Sequence, residues 1–168
     1  MVQHDGYYFL TYTTGDNITL LRSKGLTNWN VAQSRALFVP PRGQNYSTDI
    51  WAPELHHIGD KWYVIFTADP NYDSPSPEVD MNCPFNCPAV YHRMFVLESN
   101  GKDPWSANFS IKPQLDTYDQ FAIDGTYFQH KSGLYHIYSC WNNTYDAWPA
   151  NLCISKSKFQ FPSQWPIC

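Results

Sequence analysis

The feature of this sequence that most limits its fold is a pattern that occurs three times. "DGYYFLTYT" (5–13), "GDKWYVIFT" (59–67) and "SGLYHIYS" (132–139) each set a Gly turn before a short aromatic and aliphatic run, with Tyr8, Tyr63 and Tyr135 at matching positions. A second pattern follows each of them: "ITLLRSKGLTNW" (18–29), "MFVLESNGKDPW" (94–105) and "LCISKSKFQFPSQW" (152–165). These align Ser23 with Ser99 and Ser157, and Trp29 with Trp105 and Trp165. Alternation with period two sends successive side chains to opposite faces of a strand, and the Gly ahead of it supplies the turn. Self-similarity at this spacing marks a repeat architecture.

Tyr- and Trp-rich strands, 13 prolines and no helical period argue for all-β structure. Four-stranded units repeated along a chain make the blades of a β-propeller. Numbered from the innermost outward, the Tyr pattern is the second strand of a blade and the Ser pattern the third. "SRALFVP" (34–40) and "FSIKPQL" (109–115) are then fourth strands, and "IWAPELHHI" (50–58) and "FAIDGTYFQH" (121–130) first strands. The predicted fold is one partial propeller domain spanning residues 1–168, with repeats near 1–41, 48–115 and 120–168, or roughly two and a half blades. A β-sandwich with coincidental internal similarity is the alternative.

The repeat also sets a register. Counting eleven residues back from Tyr135 lands on Asp124, and from Tyr63 on Ala52; from Tyr8 the count passes Met1. The chain is therefore expected to begin partway through a blade and to stop after a third strand at "QWPIC". Glu54 lies two residues beyond Ala52, on the same strand face and deeper in the central channel. It reads as a hydrogen-bonded channel residue tying neighbouring first strands together, not as a proton donor.

Charge narrows the function. Lys and Arg total 11 against 15 Asp and Glu, a net charge of -4, with no basic cluster to neutralise a row of phosphates. Nucleic acid is not an expected partner, and no apolar run has the length of a membrane span. Four sequons, at Asn17, Asn45, Asn108 and Asn142, and five cysteines point to a secreted glycoprotein. The start at "MVQHDGYYFL" lacks a signal-peptide h-region, which a fragment of a larger propeller would account for.

"HDGYYFLTYT", "WAPELHHIGDKWYVIF" and "FAIDGTYF", in that order, resemble the glycoside hydrolases of family 43, especially fungal arabinofuranosidase-like members. The resemblance covers nearly the whole chain. It implies a five-bladed propeller and an inverting hydrolase acting outside the cell on arabinose- or xylose-containing plant polysaccharides, without a cofactor. It also implies three carboxylates: an Asp general base in the first blade, an Asp in the third that orients the acid and tunes its pKa, and a Glu general acid in the fourth. Only the middle one has a match here, Asp124; the base would precede Met1 and the acid would follow Cys168. Inversion needs a protonated acid and an ionised base about 6.5–9.5 Å apart across the sugar, so this chain alone is expected to be inactive. A third carboxylate near the acid raises its pKa by like-charge repulsion. A non-catalytic carbohydrate-binding propeller is the alternative reading.

Because blade strands alternate in direction, the connection between second and third strands emerges at the end where a first strand begins. Both long connections, 69–90 and 140–153, are of this kind and should wall the side on which Asp124 sits. Tyr72, Trp141, Tyr145 and Trp148 within them are candidates for stacking on sugar rings, as is Trp51 beside the register position; core packing explains any single one equally well. Cys140 and Cys153 bracket neighbouring strands and are expected to form a disulfide, while Cys83 and Cys87 could pin the proline-rich connection and Cys168 is left over. A zinc site would prefer tighter CxxC pairs with His partners, so Cys83-x-x-x-Cys87 is weak evidence for one; His56 and His57 point to opposite strand faces, and no metal site is predicted.

Overall fold

The computed structural model describes residues 1–70, 91–131, 133–141 and 150–157. Their strands form three antiparallel sheets in chain order. The first contains β1 (Val2–His4), β2 (Tyr7–Thr13), β3 (Ile18–Ser23) and β4 (Gln33–Phe38), and the second β5 (Thr48–Ile58), β6 (Lys61–Asp69), β7 (Arg93–Ser99) and β8 (Phe109–Ile111). The third contains β9 (Ala122–His130), β10 (Gly133–Cys140) and β11 (Asn151–Lys156). Each strand pairs with its sequence neighbour, and a 3-10 turn lies at Trp29–Val31. The molecule is all-β, and the three sheets are consecutive blades of a partial propeller.

Local chemistry sets the turns. Between β1 and β2, Asp5 and Gly6 both take positive φ, 45° and 75°, the two-residue hairpin geometry that matches strand twist. In the first two blades the repeated Ser closes the bend after the third strand: the Ser23 hydroxyl donates to the Gly25 carbonyl at 2.9 Å, and Ser99 to Gly101 at 2.8 Å.

The blades hold together through β6. Trp62, Val64, Phe66 and Ala68 point into a core shared with Phe9, Ile18, Leu20 and Leu37 of the first blade. Tyr63 and Ile65 point the other way, into a core with Ala122, Leu134 and Tyr138 of the third. A strand buried on both faces reads as an unbroken apolar run, which is why "WYVIF" does not alternate with polar residues. Each such side chain contributes about 1.5–3 kcal/mol when fully buried. Gly125 on β9 lets the third blade close in, since a Cβ there would collide with the Met94 methyl and lie 3.2 Å from Ile65 Cδ1.

One alignment is corrected. Tyr63 pairs with Glu98 and Tyr135 with Lys156, each one residue before the repeated Ser, whereas Tyr8 pairs with Ser23 itself. The first-blade counterpart of Tyr63 and Tyr135 is therefore Phe9, opposite Arg22 and buried against the second blade. Three consecutive aromatics, Tyr7 to Phe9, fit the pattern equally, and only the neighbouring blade decides which face is inward. Counting from Phe9 still passes Met1.

Candidate functional site

The start of β5, the end of β6 and the start of β7 meet at one end of the second blade, where a hydrogen bond from Ala122 N to His92 O (3.1 Å) ties in the start of β9. Both inner strands break their ladder here. In β5 the pairing slips between Trp51 and Glu54, leaving Ala52 and Pro53 in the gap; in β9 it slips between Ile123 and Thr126, leaving Asp124 and Gly125. Ala52 and Asp124 both have left-handed backbone, with φ of 45° and 53°. Such a bulge re-aims a side chain at a sheet rim, and Asp124 is exposed there.

An aromatic row runs along the same end. The Trp51 ring lies 3.9 Å from that of His92, tilted by 33°. His92 meets the edge of Phe121 at 6.5 Å, and Phe121 stacks on Trp141 at 3.8 Å. Trp51 is 39% exposed although its neighbour His92 is buried. Beneath Trp51, His92 Nδ1 is 3.1 Å from Asp69 Oδ1, and both side chains are buried. Burial, reinforced by the negative charge of Asp49 and partly offset by Arg93, pushes the Asp69 carboxyl up to about 8. Arg93 itself is engaged, its Nε donating to Asp119 Oδ1 at 2.8 Å.

Glu54 lies farther along β5. Its carboxylate is 3.1 Å from His56 Nε2 and also takes a hydrogen bond from Thr126 on β9. The His56 bond, aided by Thr126 and opposed by burial, holds it below the usual carboxylate range. An ionised carboxylate so engaged accepts hydrogen bonds at neutral pH and has no proton to give.

Asp124, Trp51 and Trp141 thus share one end of the blades, with Glu54 farther in. Cys140 and Cys153 are bonded, with Cα atoms 6.0 Å apart, joining β10 to β11. Asn45 and Asn108 are exposed; Asn17, partly buried at the turn before β3, donates to Thr14 Oγ1. Tyr72, Cys83, Cys87, Asn142, Tyr145, Trp148 and Cys168 lie outside the described residues. Asp69, His92 and Phe121 escaped the sequence reading because Asp69 and His92 stand 23 positions apart across a long connection. The available signal was a lone acid closing the apolar run of β6. Among the described residues no group of three or more His, Cys, Asp or Glu could hold a metal ion.

The model for glycosyl hydrolases family 43 matches residues 1–157. Over 141 residues the chain is 33% identical to an extracellular exo-α-(1→5)-L-arabinofuranosidase of Streptomyces chartreusis, a match covering 82% of this chain and 37% of that protein. It is 30% identical over 126 residues to α-L-arabinofuranosidase B of Pyricularia oryzae, covering 73% of this chain and 23% of that one. The crystal structure of the α-L-arabinofuranosidase from Lactobacillus brevis superposes with a TM-score of 0.76 at 29% identity, covering 94% of this chain and 47% of that one. The chain spans less than half the length of each of these relatives. On the match over residues 1–157, this chain, a partial β-propeller, belongs to glycosyl hydrolases family 43.

Proposed function

We propose that this chain is part of the catalytic propeller of a secreted, inverting glycoside hydrolase that removes arabinofuranosyl units from plant cell-wall polysaccharide. The observation that carries the reading is Asp124, turned outward on a bulge at the end of the blades where Trp51 stands exposed. A carboxylate there can orient a neighbouring general acid and raise its pKa, keeping it protonated until it meets the glycosidic oxygen. Trp51 and Trp141 offer flat apolar faces to a sugar ring. Glu54, held ionised by His56 and Thr126, links β5 to β9 and stays outside proton transfer. The general base and general acid come from carboxylates beyond these 168 residues. Relatives named as arabinofuranosidases, two of them as extracellular, support the sugar and the compartment. The sequons at Asn17, Asn45, Asn108 and Asn142 fit a glycosylated secreted product.

The test uses the complete protein in which this chain occurs, assayed on α-1,5-linked arabino-oligosaccharides and an aryl arabinofuranoside. Release of arabinose is expected, with Asp124→Asn lowering kcat about 10²–10⁴-fold at an unchanged melting temperature. Binding without release would make it a carbohydrate-binding propeller. Turnover by these 168 residues alone would refute the placement of acid and base outside them.

A further inference from the structure

We propose that Asp69 and His92 are positioning residues for the sugar site, holding the Trp51 indole as the platform on which a furanose ring stacks. This rests on the reading of the site as a carbohydrate site, and it assigns work to two buried residues that the chemistry above does not use.

Trp51 needs a support that its own strand does not give. It stands beside the left-handed Ala52, and although Trp51 pairs with Thr67, the β5–β6 ladder slips on both sides of it, so its strand fixes its approach less than a regular ladder would. Its ring instead rests on the His92 imidazole at 3.9 Å. The imidazole is held by the Asp69 carboxyl, 3.1 Å from Nδ1, at the end of β6 where Asp69 pairs with Thr48 of β5. The His92 carbonyl accepts from Ala122 N, two residues before Asp124. One buried pair therefore connects the platform to the strand that bears the carboxylate.

Simple stability is a poor account of such a pair. A buried carboxyl group and imidazole lose hydration on folding, and well-packed apolar residues of similar volume commonly serve a core as well or better. What Asp and His add is direction: the polar contact of Asp69 Oδ1 with His92 Nδ1, 3.1 Å apart, orients the imidazole, and with it the indole tilted over it by 33°. A furanose presenting its C–H face to that indole is then set at a constant angle to Asp124.

The experiment is a double-mutant cycle in the complete protein, measuring kcat and KM on an aryl arabinofuranoside. Trp51→Ala should raise KM about tenfold or more, and Asp69→Asn about three- to tenfold with kcat within about twofold. Asp69→Asn added to Trp51→Ala should cause no further rise. Independent, multiplying effects would overturn the positioning role while leaving the sugar site standing. A Trp51→Ala enzyme with unchanged KM would instead remove the sugar site, and this inference with it. If Asp69→Asn does not fold, the apolar pair Asp69→Leu with His92→Phe keeps a ring under Trp51 without the polar contact. It should raise KM to the same degree, and a wild-type KM in that protein would overturn the proposal.

Discussion

Ala52 and Asp124 hold the same place in neighbouring blades: each opens a two-residue slip in its inner strand and each has left-handed backbone, one ending in a methyl group and the other in a carboxylate. The scaffold repeats the backbone device, and the side chain decides what it presents. Left-handed φ costs an L-residue with a Cβ roughly 1–2 kcal/mol, and Gly removes that cost. Ala52→Gly should therefore raise stability by about 0.5–1 kcal/mol despite the greater freedom of Gly in the unfolded chain, read from urea midpoints. A loss would show that contacts of the Ala52 methyl outweigh the strain.

Asp124→Asn keeps a side chain that tolerates the left-handed region, so folding should be unaffected. In the complete enzyme the lost negative charge should lower the pKa of the neighbouring acid and move the alkaline limb of the pH–rate profile to lower pH. Aryl arabinofuranosides with good leaving groups need less proton donation and should be spared more than natural glycosides. Equal loss on both substrates would place Asp124 against the sugar itself.

Gly125→Ala should destabilise by about 1–3 kcal/mol, because the added methyl meets the buried Met94 side chain in a filled core. Shortening Met94 to Ala in the same protein should make the second substitution cost less than it does alone. Additive losses in chemical denaturation would place the clash elsewhere.

Asp69 gives stability a pH dependence. Its carboxyl takes up a proton at about 8 in the folded chain against an ordinary value of 3.8, so the native state binds more protons than the unfolded state between these limits. The contribution is complete below the ordinary value and is lost as pH rises through about 8. Melting temperature should fall across that window, and Asp69→Asn, with His92, Asp49 and Arg93 left in place, should flatten the slope. An unchanged slope would assign the dependence to another group.

The strands and their order were legible because alternation and Gly turns are local. "SRALFVP" and "FAIDGTYFQH" fall on β4 and β9 with ends shifted by one or two residues. The equivalence of Ala52 and Asp124 was legible too, since a fixed offset from an aromatic anchor survives in a repeat. Tyr8 misled because inward parity belongs to the neighbouring blade, which the local pattern does not contain. The support beneath Trp51 was hidden for a different reason: Asp69 and His92 meet only once β6 and β7 pair, and neither carries a motif that names the other.

The placement of β6 between two cores bears on how the chain acquires its structure. Although the sequence counts in blades, the second blade completes the interior of the first through Trp62 and Phe66 and that of the third through Tyr63 and Ile65. The unit that opens and closes cooperatively is then a pair of adjoining half-blades, not a blade. Backbone amides of Val64 to Phe66 belong with the slowest hydrogen exchange in the molecule, while β1 and β8, each three residues long and paired along one edge, exchange first. Sequence modules and folding modules are out of phase by half a repeat, so a graft that transplants one blade by its sequence boundaries would cut through two interiors.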